Sequence, residues 1–101
     1  NNYYLCLVSG DKYVSLDKIT NLVNETIIKA SADECKEFTG FSIGGVSPIA
    51  LDNKPKSIFI DNNLSKYKKV FAAAGHPYVV FGLSYLELCD LTKGTEDDIT
   101  E

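Results

Sequence analysis

Short apolar segments rich in β-branched and aromatic residues recur along the chain, separated by polar segments that contain glycine, asparagine or proline. Each apolar segment has the length of one strand. The first, residues 3–9, ends at a turn signal of serine, glycine, aspartate and lysine, and predicts a hairpin that returns through residues 13–15. Further strands are predicted at residues 26–29, 57–61, 69–74 and 78–83, with a short edge strand around Ile99. A bulge would instead make residues 69–83 one bent strand.

Three other segments carry the signals that begin and end helices. Ser15 is placed to cap a helix over residues 16–24, where apolar residues recur at helical spacing. Ser31 and Ser84 each open a capping box, in which the serine and a glutamate three residues later satisfy each other's backbone donors. The glycines predicted to end these two helices are Gly40 and Gly94.

The order of these elements has no internal repeat and does not alternate strictly as βαβ units do. It predicts an α+β domain with a mixed, largely antiparallel sheet or partial barrel and flanking helices. A length of 101 residues, 45% of them hydrophobic, fits a single domain over residues 1–101 with one core.

Charge is distributed unevenly along a chain whose net charge is −4. There is no arginine, so phosphate contacts would have to come from lysine or backbone N–H groups, and a long DNA duplex footprint is not expected. Five of the ten lysines lie within residues 54–69, where they form either a basic face or an ordinary solvated surface. They are Lys54, Lys56, Lys66, Lys68 and Lys69.

Cysteine and histidine usage argues against a metal or disulfide framework. Cys6, Cys35 and Cys89 are far apart and form no C-x-x-C pair, which predicts buried free thiols, and His76 is the single histidine. No metal or cofactor is expected. No apolar run approaches the roughly 20 residues that cross a bilayer, and the chain start lacks the features of a secretory signal, so a cytoplasmic protein without membrane contact is predicted.

Two loops combine glycine with a closing proline, at residues 39–48 and 72–77. Glycine lets a ligand approach the peptide plane closely, and proline stiffens the same loop. Neither loop has the spacing of a dinucleotide-binding fingerprint or a P-loop. The two loops are therefore predicted to present backbone groups to one shared pocket.

Together these segments resemble the YbaK/prolyl-tRNA-editing domain family of aminoacyl-tRNA deacylases, from about residue 5 to residue 99. The resemblance rests on Thr39-Gly40-Phe41 with residues 43–48, on Ile58-Phe59-Ile60-Asp61 with Leu64, on residues 73–77 with Val80-Phe81, and on Glu87-Leu88 with residues 91–94. It implies hydrolysis of the ester of a tRNA mischarged with a small amino acid such as alanine, cysteine or proline. The implied partners are the tRNA acceptor end and an aminoacyl-tRNA synthetase.

The resemblance also implies where the substrate binds. Its G-x-x-x-P loop matches residues 44–48, and its opposite pocket wall matches residues 73–76, so the substrate-binding candidates are Gly44, Gly45, Val46, Ser47, Pro48, Ala73, Gly75 and His76. The tRNA-binding candidates are Lys66, Lys68 and Lys69. His76 is interpreted as a turn or pocket-rim residue and not as a general base, and Asp61 as the cap of a turn at Asn62-Asn63.

The catalytic residue is not assigned. The family's essential lysine lies in an N-terminal portion that precedes the segment resembling residues 3–8, and none of Lys12, Lys18 and Lys29 matches it. The chain is therefore expected to be the C-terminal two thirds of such a domain. The alternative is a non-catalytic module of the same fold that binds a tRNA end, a small ligand or a protein.

Overall fold

The computed structural model describes the backbone of residues 3–42, 45–49, 51–76 and 79–101, and their side chains outside the segment 73–81. Strands and helices are mixed along the chain, which confirms the predicted α+β class. In chain order the elements are β1 (Tyr4–Leu7), α1 (Leu16–Val23), α2 (Ala32–Thr39), β2 (Ser57–Asp61), a 3₁₀ helix (Asn62–Lys66), β3 (Val70–His76), β4 (Val79–Leu83), α3 (Tyr85–Thr92) and β5 (Thr95–Asp97).

The main sheet is parallel, which corrects the prediction of a largely antiparallel one. Its strand order is β1-β2-β5, and β2 pairs in parallel with both neighbours. The connection from β1 to β2 carries α1 and α2, and the connection from β2 to β5 carries the remaining strands and α3. Such long crossovers return the chain to the same end of the sheet, so the next strand runs parallel. Strands β3 and β4 form a separate antiparallel pair.

The predicted hairpin at the start of the chain is wrong. The turn exists, since Lys12 N–H donates to Ser9 O at 3.0 Å. Val14, however, forms its antiparallel bridge with Thr100 and not with β1. Residues 26–29, also predicted as a strand, form neither helix nor strand. Both errors have the same cause, because β-branched residues also fit half-buried irregular segments and strand pairing depends on distant partners.

The helix starts are as the local signals predict. Ser15 Oγ accepts from Lys18 N–H at 3.2 Å, and both capping boxes have their reciprocal bonds. Gly40 ends α2 with φ +82°, in the left-handed region that favours glycine. Helix α3 ends differently, because Lys93 takes the left-handed conformation in place of Gly94. A Cβ on Gly94 would lie 2.7 Å from Ile60 Cδ1, so this glycine is needed for close packing.

Alternate residues of β2 build the core on its two faces. Ile60 packs with a cluster that contains Leu64, Leu83, Tyr85 and Leu88, while Phe59 packs with Ile19 and Ile99. Asp61 follows at the strand end and is fully buried. It makes no side-chain cap bond to the 3₁₀ helix, contrary to its predicted role, and its two oxygens each lie 3.4 Å from Asn63 Nδ2. In the part of the chain that is described, no helix is long and apolar enough to cross a membrane.

Candidate functional site

A cavity of about 410 Å³ opens where β1 ends, and we call it the loop cavity. One side is formed by the end of β1 and the turn after it, residues 6–10, and a second by residues 69–72 at the start of β3. Val46 and Pro48 close a third side, and Leu64, Tyr67 and Leu88 complete the described lining. In proteins with parallel sheets, ligands commonly bind beyond the carboxyl ends of the strands, and this cavity lies at that position.

The glycine-proline loop reaches the loop cavity through two of its predicted residues. Val46 and Pro48 line it, while Gly45 and Ser47 are buried in the same loop. The N–H group of Gly45 donates to Ser42 O at 2.9 Å, which folds the loop back on itself. Gly44 lies outside the described residues. The structure thus brings part of the predicted loop to a cavity of ligand size.

The end of α2 fixes the far end of this loop. Asp52 N–H donates to Thr39 O at 3.1 Å, and Asn53 N–H donates to Phe38 O at 3.2 Å. The side-chain amide of Asn53 donates to Phe38 O as well, at 3.0 Å. These bonds use carbonyl groups that the last turn of a helix leaves without intrahelical partners. The loop therefore starts and ends at the same helix terminus.

The second predicted wall belongs to the strand that lines the cavity. Val70 and Ala72 of β3 line it and pack against the core cluster of Ile60. Ala73, Gly75 and His76 continue the same strand, and His76 pairs with Val79 of β4 after an irregularity in the register. The side chains of these three residues lie outside what the structure describes, so their contact with substrate stays a prediction.

The predicted lysine cluster divides into separate positions. Lys69 lines the loop cavity, and Lys66 Nζ lies 5.3 Å from the ring centroid of Tyr67, which lines it too. Lys68 is exposed between them. Lys56 is elsewhere, paired with Glu25 at 3.2 Å. The three lysines predicted to bind tRNA therefore lie in the segment that borders the cavity, and their contact with tRNA stays a prediction.

Several lining residues were not predicted from the sequence. Cys6, Leu64, Tyr67, Phe71 and Leu88 all contribute to the cavity wall. The leucines read as ordinary core residues, but the two aromatic residues interleaved with lysines between residues 66 and 71 were a usable signal for nucleic-acid contact. Burial raises the pKa of the Cys6 thiol to about 11, so this thiol is protonated and a poor nucleophile near neutral pH.

A second cavity, of about 600 Å³, lies on the other side of β1 between α1, residues 25–30 and α2. The hydroxyl of Tyr4 donates to the Glu25 carboxylate, which also pairs with Lys56. The hydrogen bond from Tyr4 lowers the pKa of Glu25, because it favours the charged carboxylate. Of the predicted site residues that the structure describes, none lines this cavity.

The chain matches the family model described as the aminoacyl-tRNA editing domain over residues 1–91, and it belongs to that family. The family that the linked sequence motifs resemble is confirmed. A comparison with curated proteins gave no match.

Solved structures of the same fold agree over nearly all of the chain. A candidate trans-editing enzyme for prolyl-tRNA synthetase is 39% identical, with a TM-score of 0.90 over 97% of this chain and 62% of its own. A protein used in epitope backbone grafting by computational design is 35% identical, with a TM-score of 0.91 over 97% of this chain and 65% of its own. The hypothetical protein APE2540 is 30% identical, with a TM-score of 0.89 over 97% of this chain and 65% of its own. The chain therefore spans less than two thirds of each of these structures.

Proposed function

We propose that this chain forms the substrate-binding part of an aminoacyl-tRNA deacylase, which hydrolyses the ester of tRNA mischarged with a small amino acid such as alanine, cysteine or proline. The observation that carries the proposal is the loop cavity, since it joins Val46 and Pro48 of the family's loop to the strand that carries the second predicted wall. Its partners would be the acceptor end of the tRNA and an aminoacyl-tRNA synthetase. Its compartment would be the cytoplasm, where tRNA is charged.

The size and lining of the loop cavity support an aminoacyl-adenosine as the bound group. Small-ligand sites usually have volumes of about 300–1,000 Å³, and the loop cavity has about 410 Å³. Its floor is apolar, built from Leu7, Leu64 and Leu88, while Ser9 and Lys69 supply polar groups to the lining. An apolar floor suits the nucleoside base and a small side chain, and the polar groups suit ribose and phosphate oxygens.

The chemistry proposed is hydrolysis of one ester bond. Water adds to the ester carbonyl carbon, the bond between that carbon and the ribose oxygen breaks, and the ribose oxygen takes up a proton. The products are a free amino acid and an uncharged tRNA. The backbone of residues 44–48 would hold the aminoacyl group, because carbonyl oxygens accept hydrogen bonds from an ammonium group and glycine permits close approach. Because the loop backbone lies close to the aminoacyl group, it would admit a small amino-acid side chain and exclude a larger one.

The decisive experiment uses the proline-specific tRNA charged with alanine or with cysteine. Hydrolysis of its ester is followed as release of the radiolabelled amino acid. This chain should be assayed beside the longest native form of the protein, since its relatives are longer. Release above the uncatalysed rate by either form supports the proposal. If both forms bind tRNA but neither releases any amino acid tested, the chain is a binding module and the proposal fails.

The proline of the loop gives a first prediction. Pro48 is buried and lines the loop cavity, so Pro48→Ala should loosen the backbone that holds the aminoacyl group. We expect kcat/KM for deacylation to fall about tenfold, because small misplacements of bound groups are costly. The free energy of unfolding should fall by only about 1 kcal/mol.

Pro55 provides the matched control, because it is also buried but does not line the loop cavity. Pro55→Ala should leave kcat/KM close to the wild-type value. Both variants should be assayed for hydrolysis and for urea unfolding. Equal losses of activity in the two variants, or a loss that follows stability, would make the loop a purely structural element.

A further inference from the structure

Two aromatic residues among those that line the loop cavity have exposed side chains. Phe71 is 68% exposed and Tyr67 is 40% exposed, and both contribute to the cavity lining. On β3, Val70 and Ala72 pack against the core, so Phe71 lies on the opposite face of the strand. An aromatic ring this exposed gains little for folding, and its position beside a ligand cavity calls for another explanation.

A glycine on the neighbouring strand supports the ring of Phe71. Phe71 pairs directly with Gly82 of β4. A Cβ on Gly82 would lie 2.9 Å from Phe71 Cε1 and 2.9 Å from Lys69 Cδ, so both side chains pack over the place where a side chain would be. The glycine therefore lets the ring lie close to the strand, with the aliphatic part of Lys69 beside it and much of its surface open.

The charge around the ring is positive on a chain that is acidic overall. Lys66, Lys68 and Lys69 are exposed within five residues of Phe71. Among the described residues, no carboxylate lies within ion-pair distance of these three lysines. Lys66 contributes to a lowered pKa of Asp11, and Lys69 contributes to a lowered pKa of Glu87, in both cases after stronger hydrogen bonds from Ser9 and Ser84.

We propose that Phe71, supported by Gly82 and flanked by Lys69, is a stacking platform for the unpaired base that precedes the terminal adenosine of the tRNA. This inference rests on the proposed function, because it takes the terminal adenosine to occupy the loop cavity beside the platform. Lys66, Lys68 and Lys69 then contact the phosphates of the same single strand. An exposed aromatic ring beside lysines is the arrangement with which proteins hold single-stranded nucleic acid. Bases inside a duplex have stacked neighbours on both faces and present no free face to the ring.

The test uses an uncharged single-stranded tetraribonucleotide with adenosine at its 3′ end and the fluorescent base 2-aminopurine immediately before it. Stacking on an aromatic ring quenches this fluorophore, and binding is followed in the same titration. Wild-type protein should quench the probe. Phe71→Leu should remove the quenching and weaken binding about tenfold. A tenfold loss of binding is within the range measured for loss of one stacked base. Phe71→Trp should restore both, because it keeps an aromatic face.

Tyr13→Leu is the matched control, since Tyr13 is 76% exposed and does not line the loop cavity. It should bind and quench as the wild type does. Equal binding and quenching by the wild type and Phe71→Leu would overturn the platform, as would the absence of any binding by the wild type. Circular dichroism verifies that each variant is folded. If Phe71→Leu is unfolded, binding of the probe by the wild type without quenching would still overturn the platform.

The outcomes separate the platform from the proposed function. Binding and quenching that depend on Phe71, without deacylation of any aminoacyl-tRNA, would support the platform and refute the deacylase. Deacylation with an unchanged KM in Phe71→Leu would support the deacylase and refute the platform. The uncharged probe makes this separation possible, because it has no ester to hydrolyse.

The lysines give a second measurement on the same probe. Changing Lys66, Lys68 and Lys69 together to Gln should reduce the slope of log K against log salt by about 2, since single-stranded phosphate contacts contribute about 0.7 each. The control triple variant changes the exposed residues Lys29, Lys36 and Lys54 to Gln. It lowers the net charge of −4 by the same three units. If the slope of log K against log salt is the same in both triple variants, the effect comes from the net charge and not from phosphate contacts of Lys66, Lys68 and Lys69.

Discussion

Ile99→Ala should lower the free energy of unfolding by about 2–5 kcal/mol, the range measured for removal of a buried isoleucine or leucine side chain. Ile99 is 0% exposed and packs with Ile19 and Phe59 on one face of β2. Small domains have total stabilities of about 5–15 kcal/mol, so this single change removes a large part of the stability. The measurement is urea unfolding followed by far-ultraviolet circular dichroism.

The size of this effect follows from how the whole C-terminal segment is held. Strand β5 pairs with β2, and the carbonyl of Ile99 accepts from Ser15 N–H at 2.8 Å. Glu101 N–H donates to Tyr13 O at 2.9 Å, and Lys18 Nζ donates to Thr100 O at 2.6 Å. In the sequence this acidic segment predicts only a short edge strand around Ile99, whereas the strand that forms is β5, and the segment lies beyond the residues that the family model matches. In the fold it completes the sheet and one core cluster.

Ile28→Ala is the control for Ile99→Ala, because it makes the same chemical change at a side chain that is 77% exposed. Its effect on the free energy of unfolding should be within about 0.5 kcal/mol. Similar losses in the two variants would show that Ile99 is not buried in solution and that the C-terminal segment does not belong to the core.

The elements that were predicted correctly are those whose signals are local. Ser31 and Ser84 begin helices because each serine and its glutamate, three residues apart, bond to each other's backbone whatever the rest of the fold does. Gly40 was predicted correctly for the same reason, since a left-handed residue at a helix end favours glycine. Such signals need no knowledge of distant residues.

The errors concern features that depend on distant partners. Val14 pairs with Thr100 and not with β1, and the three-stranded sheet is parallel, because both depend on where long crossovers return the chain. Gly94 faces Ile60, a contact between residues far apart in sequence. A single sequence shows which residues are apolar but does not show which of them meet.

The candidate site was predictable to a similar degree. The glycine-proline loop was recognisable from its resemblance to the family's G-x-x-x-P loop, and Val46 and Pro48 do reach the loop cavity. The leucines and Cys6 that form its other walls could not be told from ordinary core residues, because their contribution depends on a space between elements. The packing of the Phe71 ring over Gly82 depends on the pairing of two strands, which the sequence does not show.

Ala72→Phe should lower kcat/KM for deacylation about 100-fold, a loss of about 2.7 kcal/mol of transition-state stabilisation. Ala72 is half-buried in β3 and lines the loop cavity, so a benzyl group there would occupy space that the aminoacyl-adenosine needs. The fold should tolerate the change, since phenylalanine favours strands and an open cavity of about 410 Å³ can receive the ring. The assay uses the form of the protein that is active, with urea unfolding measured in parallel.

Ala32→Phe is the matched control, because Ala32 is exposed in the first turn of α2 and does not line the loop cavity. It should hydrolyse its substrate as the wild type does. A folded Ala72→Phe protein with wild-type kcat/KM would mean that the reacting ester lies outside the loop cavity. Loss of activity together with an intact fold, and only in the Ala72 variant, would locate the substrate in the space that Val46, Pro48 and β3 enclose.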